Sequence, residues 1–142
     1  MMRNVLLAVA VLAASVGEVA SQTASFKVIV NSKVGGRNIP KDVLSQIYLG
    51  QATRWGNGTP IAAVDLSGTS PVRRAFSQQV LGMPTDAVIN HWMRRIIAGQ
   101  RPLLSKATED EVVAFVASQP GGVGYVSTAT SLPAGVTEVS VQ

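Results

Sequence analysis

The segment FKVIVN, Phe26 to Asn31, alternates and then concentrates β-branched residues, which predicts a strand buried in the middle of a sheet. The glycine pair in SKVGGRN marks a loop. IPKDVLSQIYLG follows, with Val43, Leu44, Ile47 and Tyr48 at helical spacing between Pro40 at the start and Gly50 at the stop. In RWGNGTPIAAVDL a Gly-Asn-Gly turn precedes an apolar run, Ile61 to Val64, the pattern of a loop feeding a short strand. From Pro71 to about Leu81, Val72, Ala75, Phe76 and Val80 recur every three or four residues and Gly82 ends the helix they predict. PTDAVINHWMRRIIAG repeats the plan. Val88, Ile89, Trp92, Met93, Ile96 and Ile97 make one broad apolar face, expected to bury with Trp92 as its anchor, and Gly99 terminates it.

The last third supplies a short extended piece, RPLLSK, and a helix capped by Thr108 with Glu111 three residues on. A glycine-rich turn then enters the strand GVGYVS, and GVTEVSV alternates like a final edge strand. Strands separated by helices predict an α/β layer with a mixed, largely parallel sheet flanked by helices. No repeat or low-complexity tract interrupts it.

The 142 residues fit one domain. The opening MMRNVLLAVAVLAASVGEVASQ has an early cation at Arg3, an apolar run of about 12 residues and then small residues, the plan of a secretory signal peptide over residues 1–21, with cleavage after Ala20 or Ser21. The run falls short of the ~20 residues that span a bilayer, so an uncleaved anchor is the weaker alternative. Residues 22–142 then form the mature domain. Without cysteine there is no disulfide, no thiolate metal site and no lipid-modified N-terminus, so a soluble periplasmic or extracellular protein is expected. Loss of Arg3 and Glu18 leaves the formal charge at +4, with no run of cations longer than two and no basic stripe interleaved with aromatics. Nucleic-acid binding is thereby excluded as a reading.

Candidate chemistry centres on Ser67-Gly68-Thr69-Ser70. Pro71 suits a first helical position, which makes Ser70 the N-cap. A strand that passes through a glycine-containing turn into a helix start exposes unpaired amides and the positive end of the helix dipole, and neighbouring hydroxyls add donors suited to a tetrahedral oxyanion. The same residues also read as an ordinary turn and cap. Other chemistry finds no support. His91 shares its helix's polar side with Arg94 and Arg95 and reads as a surface residue; one histidine without cysteine makes no transition-metal site. Ser70 stands in no nucleophile elbow, and PGGVG lacks the lysine of a phosphate loop and reads as close packing into a strand. With no catalytic constellation and no cofactor motif, an enzyme is not expected.

The order of segments from VIVN through LSQIYLG, RWGNG and DLSGTS to FVASQPGGVGYV resembles the phosphate-binding proteins of bacterial ABC importers across nearly the whole mature chain. The resemblance implies a single lobe of a type 2 periplasmic-binding-protein-like fold, where larger members have two. It implies hydroxyl and main-chain amide contacts from Ser67, Gly68 and Thr69 to phosphate or a similar anion, with Asp65 supporting a nearby arginine, and the turn's geometry adds the amide of Ser70 to the candidate site. Larger members place that arginine two residues before the acidic one, where this chain has Ala63. Arg37, or Arg73 and Arg74 just inside the helix, are candidates to replace it; read as residues alone, they are solvated surface charges. Two function readings follow: an exported, non-catalytic solute-binding protein serving the membrane component of an ABC importer, or an envelope scaffold that has lost its ligand. A homodimer that covers an exposed lobe wall is a further expectation.

Overall fold

Strands β1 (Phe26–Asn31), β2 (Asn38–Ile39), β3 (Ala62–Leu66), β4 (Leu104–Lys106), β5 (Gly122–Ser127) and β6 (Val136–Val141) form one sheet ordered β2-β6-β1-β5-β3-β4. The computed structural model describes residues 24–142, so the leader expected over residues 1–21 lies outside the described residues. β3 runs parallel to β4 and β5, and β2 runs parallel to β6. β1, central as its composition predicts, is antiparallel to both β5 and β6. The sheet is therefore mixed, with three of its five pairings parallel.

β6 is not the edge strand its alternation suggests. The two residues of β2 pair outside it, Asn38 opposite Ser140 and Ile39 opposite Val141, a strand too short to leave a periodic pattern. The run expected to be a strand over Ile61 to Val64 forms its strand slightly later, at Ala62–Leu66, because Ile61 is still paired by its amide to Thr53 in the preceding loop.

Helices α1 (Lys41–Tyr48), α2 (Pro71–Phe76), α3 (Thr85–Ile97) and α4 (Glu109–Ser118) connect these strands. α2 continues into a wider π-helical turn, Ser77–Leu81, before Gly82 adopts a left-handed conformation and stops it. α4 covers one face of the sheet: Gly124 of β5 has no side chain, and its place is filled by Val112 and Val116. On the other face Phe76 lies flat on Tyr125, ring centroids 3.9 Å apart and planes 2° apart, with Tyr48 of α1 edge-on at 4.7 Å from Phe76. α4 starts as predicted, with the Glu111 amide donating to Thr108 Oγ1 and Glu111 Oε2 accepting from the Ala107 amide.

α3 has the predicted length, and Trp92 anchors it as expected, but the helix is rotated so that only one edge of the expected apolar face, Val88 and Trp92, turns inward. Of its expected core face only Val88 is buried; Ile89, Met93, Ile96 and Ile97 are exposed. The side that faces the protein carries His91, Trp92 and Arg95. Trp92 Nε1 donates to the Tyr48 carbonyl at 3.1 Å, His91 Nε2 lies 2.9 Å from the Leu49 carbonyl, and Arg95 Nη2 donates to the Gly50 carbonyl at 3.0 Å. These carbonyls end α1, where intrahelical partners run out, so polar side chains docked there satisfy acceptors that apolar ones would leave unpaired. His91 is accordingly half-buried and engaged, not a free surface residue.

Candidate functional site

β3 delivers the chain into the Ser67–Ser70 turn beside the end of β4. The Ser67 amide donates to the Lys106 carbonyl at 2.9 Å, and the Ser70 amide closes the turn on the Ser67 carbonyl at 3.2 Å. Ser70 is the N-cap of α2, its Oγ accepting from the Arg73 amide at 3.4 Å, and Pro71 is the first helical residue. Gly68 and Thr69 are exposed, and among the described residues their amides have no backbone acceptor. Free amides at the start of a helix are what an anion requires. Because the cap bond is long, Ser70→Ala is expected to lower unfolding free energy by only about 0.5–1 kcal/mol, read from the denaturant midpoint.

Arg73 is the residue whose setting departs most from expectation. Its side chain is 13% exposed, and Nη2 lies 3.4 Å from Oδ2 of Asp65, itself 15% exposed. Nη1 lies 3.1 Å from where a β-carbon on Gly68 would stand, so the guanidinium is tucked against the turn and fills the space that a larger residue at 68 would need. It is not a solvated surface charge. Asp65 sits on β3 and Arg73 one turn into α2, and the strand–turn–helix reversal brings together residues eight apart in sequence. Arg74, on the opposite side of α2, is exposed as expected. Arg37 precedes β2, four strand positions from β3 and so about 19 Å across the sheet. The structure does not bring Arg37 to the turn.

Tyr125, which the sequence reading did not single out, completes the arrangement. Its hydroxyl donates to Asp65 Oδ1, the same oxygen that accepts the Leu66 amide at 2.9 Å. Burial raises the Asp65 carboxyl above its usual range, against the pull of the Tyr125 hydroxyl, the Arg73 charge and the Leu66 amide. Burial and the Asp65 charge likewise push the Tyr125 hydroxyl upward, so it stays a proton donor. Tyr48 is also pushed well above its ordinary value by burial, and its hydroxyl donates to the Val64 carbonyl at 2.9 Å. One signal for Tyr125 was present in the sequence: in GVGYVS it alternates with Gly122 and Gly124, placing it on the face opposite α4, where a buried tyrosine hydroxyl needs an acceptor.

Chemically the site offers two exposed amides, the Ser67 and Thr69 hydroxyls, and one guanidinium held by a carboxylate. Among the described residues no group of three histidines, cysteines or carboxylates could hold a metal ion, and no helix is long and apolar enough to cross a membrane.

No protein-family profile matches the chain, and no curated protein sequence matches it. Solved structures do. An ABC-type phosphate transport receptor from Vibrio cholerae superposes with a TM-score of 0.63 at 20% identity, over 83% of this chain and 46% of the receptor. A Clostridium perfringens protein described as a phosphate ABC transporter substrate-binding protein with bound phosphate gives 0.65 at 18% identity, over 83% and 45%. PstS from Borrelia burgdorferi gives 0.65 at 14% identity, over 84% and 47%. The chain thus spans less than half the length of each, and at these identities the likeness is one of architecture: this protein has the fold of one part of the phosphate ABC transporter substrate-binding proteins.

Proposed function

We propose that the chain is an exported, non-catalytic binding protein of the phosphate-type solute-binding family, made with a signal peptide over residues 1–21. It takes up phosphate or a similar tetrahedral oxyanion at Ser67, Gly68, Thr69 and Ser70 and works with the membrane component of an ABC importer. The observation that carries this reading is the Arg73 guanidinium, held by Asp65 against Gly68 beneath two exposed, unpaired amides. In a partly desolvated turn, amide and hydroxyl donors plus one fixed cation give charge-assisted contacts that a solvated arginine would not. Arg73 thereby supplies from a helix the positive charge that Ala63 lacks on the strand. The fold of the phosphate-binding neighbours supports the same reading.

One observation favours the rival scaffold role. Asp65 already neutralises Arg73, and such a pair also serves folding alone. Titration calorimetry of the purified protein with phosphate and with sulfate separates the two. Under the binding reading Thr69→Ala weakens affinity about 10- to 150-fold, the equivalent of about 1.5–3 kcal/mol for a hydrogen bond to a charged group, and leaves the ligand-free melting temperature unchanged because Thr69 is exposed. Equal uptake by wild type and variant, or none by either at millimolar anion, assigns the turn to helix capping and the protein to the scaffold role.

A further inference from the structure

α3 presents to water most of the side that its sequence marks as apolar. Ile89, Met93, Ile96 and Ile97 are 44%, 55%, 45% and 84% exposed. Their spacing of four, three and one residues makes a single stripe along the helix, the seam that helix pairing uses. Together they form one contiguous apolar patch of a few hundred Å² at most, the scale at which a monomer's largest patch is often functional. α3 cannot roll to bury them, because His91, Trp92 and Arg95 hold it to the end of α1.

We propose that this face pairs with α3 of a second copy of the chain, antiparallel about a two-fold axis near Met93. The stripe itself carries no charge, and the cation nearest the axis, Arg94, lies on its flank, where it is exposed to solvent. Around an axis at Met93, Ile89 of each copy faces Ile97 of the other, four residues or about 6 Å from the centre. Exposed Asp86 in the first turn of one helix approaches the end of the other, where Arg101 is exposed beyond Gly99. Opposite charges and opposite dipole ends then meet at both extremities, which a parallel pairing would set like against like. The stripe with Asp86, Asn90 and Arg94 on its flanks brings the contact toward the ~800 Å² per partner of a standard interface. A membrane surface fits less well: it calls for several cations along the helix flanks, and of His91, Arg94 and Arg95 on α3 two are engaged on α1, leaving Arg94 alone beside the stripe. The pairing is argued from the outer face of α3 alone and does not rest on whether the Ser67–Ser70 turn binds an anion.

The absence of cysteine makes the test direct. The purified chain is measured by sedimentation equilibrium, and Met93→Cys and Gln78→Cys variants are mildly oxidised. A concentration-dependent dimer is expected, with disulfide-linked dimer from Met93→Cys and not from Gln78→Cys, whose position is exposed on the π-helical turn. Ile97→Asp should weaken dimerisation about 100-fold by facing a carboxylate into an apolar seam, while its melting temperature holds because Ile97 makes little contact within one copy. The proposal is overturned if wild type stays monomeric at every concentration, if the dimer survives Ile97→Asp, or if Met93→Cys fails to crosslink. It is equally overturned if a monomer binds anionic lipid vesicles through this face and Ile97→Asp abolishes that binding.

Discussion

Gly121→Ala is expected to cost about 3–5 kcal/mol of folding stability, a large share of the ~5–15 kcal/mol that keeps a domain folded. A β-carbon at this position would stand 1.9 Å from the Pro60 carbonyl oxygen and 3.0 Å from its carbon. The obstacle is backbone, so no rotamer change relieves it, and overpacking of this kind alone costs about 1–3 kcal/mol. The same contact carries two hydrogen bonds to the Gly121 carbonyl, from Trp55 Nε1 at 2.9 Å and from the Ala62 amide at 3.0 Å. Pushing the chains apart loosens both, at about 1 kcal/mol each. These bonds join the Trp-Gly-Asn-Gly loop to the Pro-Gly-Gly turn and set where β3 begins against β5, so the damage reaches the strand that carries Asp65. Gly56→Ala is the control, since nothing lies within 4 Å of its added carbon and it needs no left-handed backbone. Its unfolding midpoint should stay within about 0.5 kcal/mol of wild type. Equal midpoints for the two variants would show that Pro60 and Gly121 are not in contact.

This close approach explains what PGGVG is for, and the sequence already suggested it: three glycines entering a strand imply packing against backbone or a helix. Most of the fold was legible in that way, because burial on both faces writes a continuous β-branched run into β1 and burial on one side writes a period of three or four into α1, α2 and α4. The exception is instructive. α3 writes the clearest helical stripe in the chain, yet only its Val88 and Trp92 edge turns inward and the rest faces water. Periodicity reports which residues share a side, and it takes the apolar side to be the inner one. What decides the orientation is the demand of three carbonyls at the end of α1, residues 48–50, for donors from a helix some forty residues later. No local pattern records that demand.

The site was half legible for a related reason. Pro71 after a serine announces the cap, and the cap is there. The pairing of Arg73 with Asp65 depends on the angle at which α2 leaves β3, and Tyr125 reaches Asp65 from a strand sixty residues away. Resemblance implied an arginine beside Asp65, and Arg73 on the helix was one of three candidates for it, with nothing in the sequence to choose among them. A guanidinium in that position is seen as surface charge until the turn folds over it.

The second large effect should come from Asp65→Ala. The carboxylate accepts from Tyr125 and Leu66 and pairs with Arg73, so its removal strands a hydroxyl and a largely buried guanidinium. Breaking such a pair from one side costs about 3–5 kcal/mol, and oxyanion uptake at the turn should fall with it as Arg73 loses its anchor. Asp65→Asn should cost less than Asp65→Ala, because the amide oxygen still accepts from Tyr125 and the side chain keeps its volume, although it too leaves the Arg73 charge without its counter-ion. The pH dependence separates charge from shape. Burial raises the Asp65 carboxyl in the folded protein, so the folded state holds this proton more tightly than the unfolded one. Its contribution to stability is fully present below the unfolded value and is lost as pH rises through the raised, folded one. Thermal unfolding of wild type and Asp65→Asn in parallel between about pH 4 and 7 cancels the other groups and leaves this one. The difference in stability should move in favour of wild type as pH falls. A difference that moves the other way would mean that Arg73 and Tyr125 outweigh burial and hold Asp65 ionised, and a flat one that the carboxyl is as well solvated in the folded chain as in the unfolded.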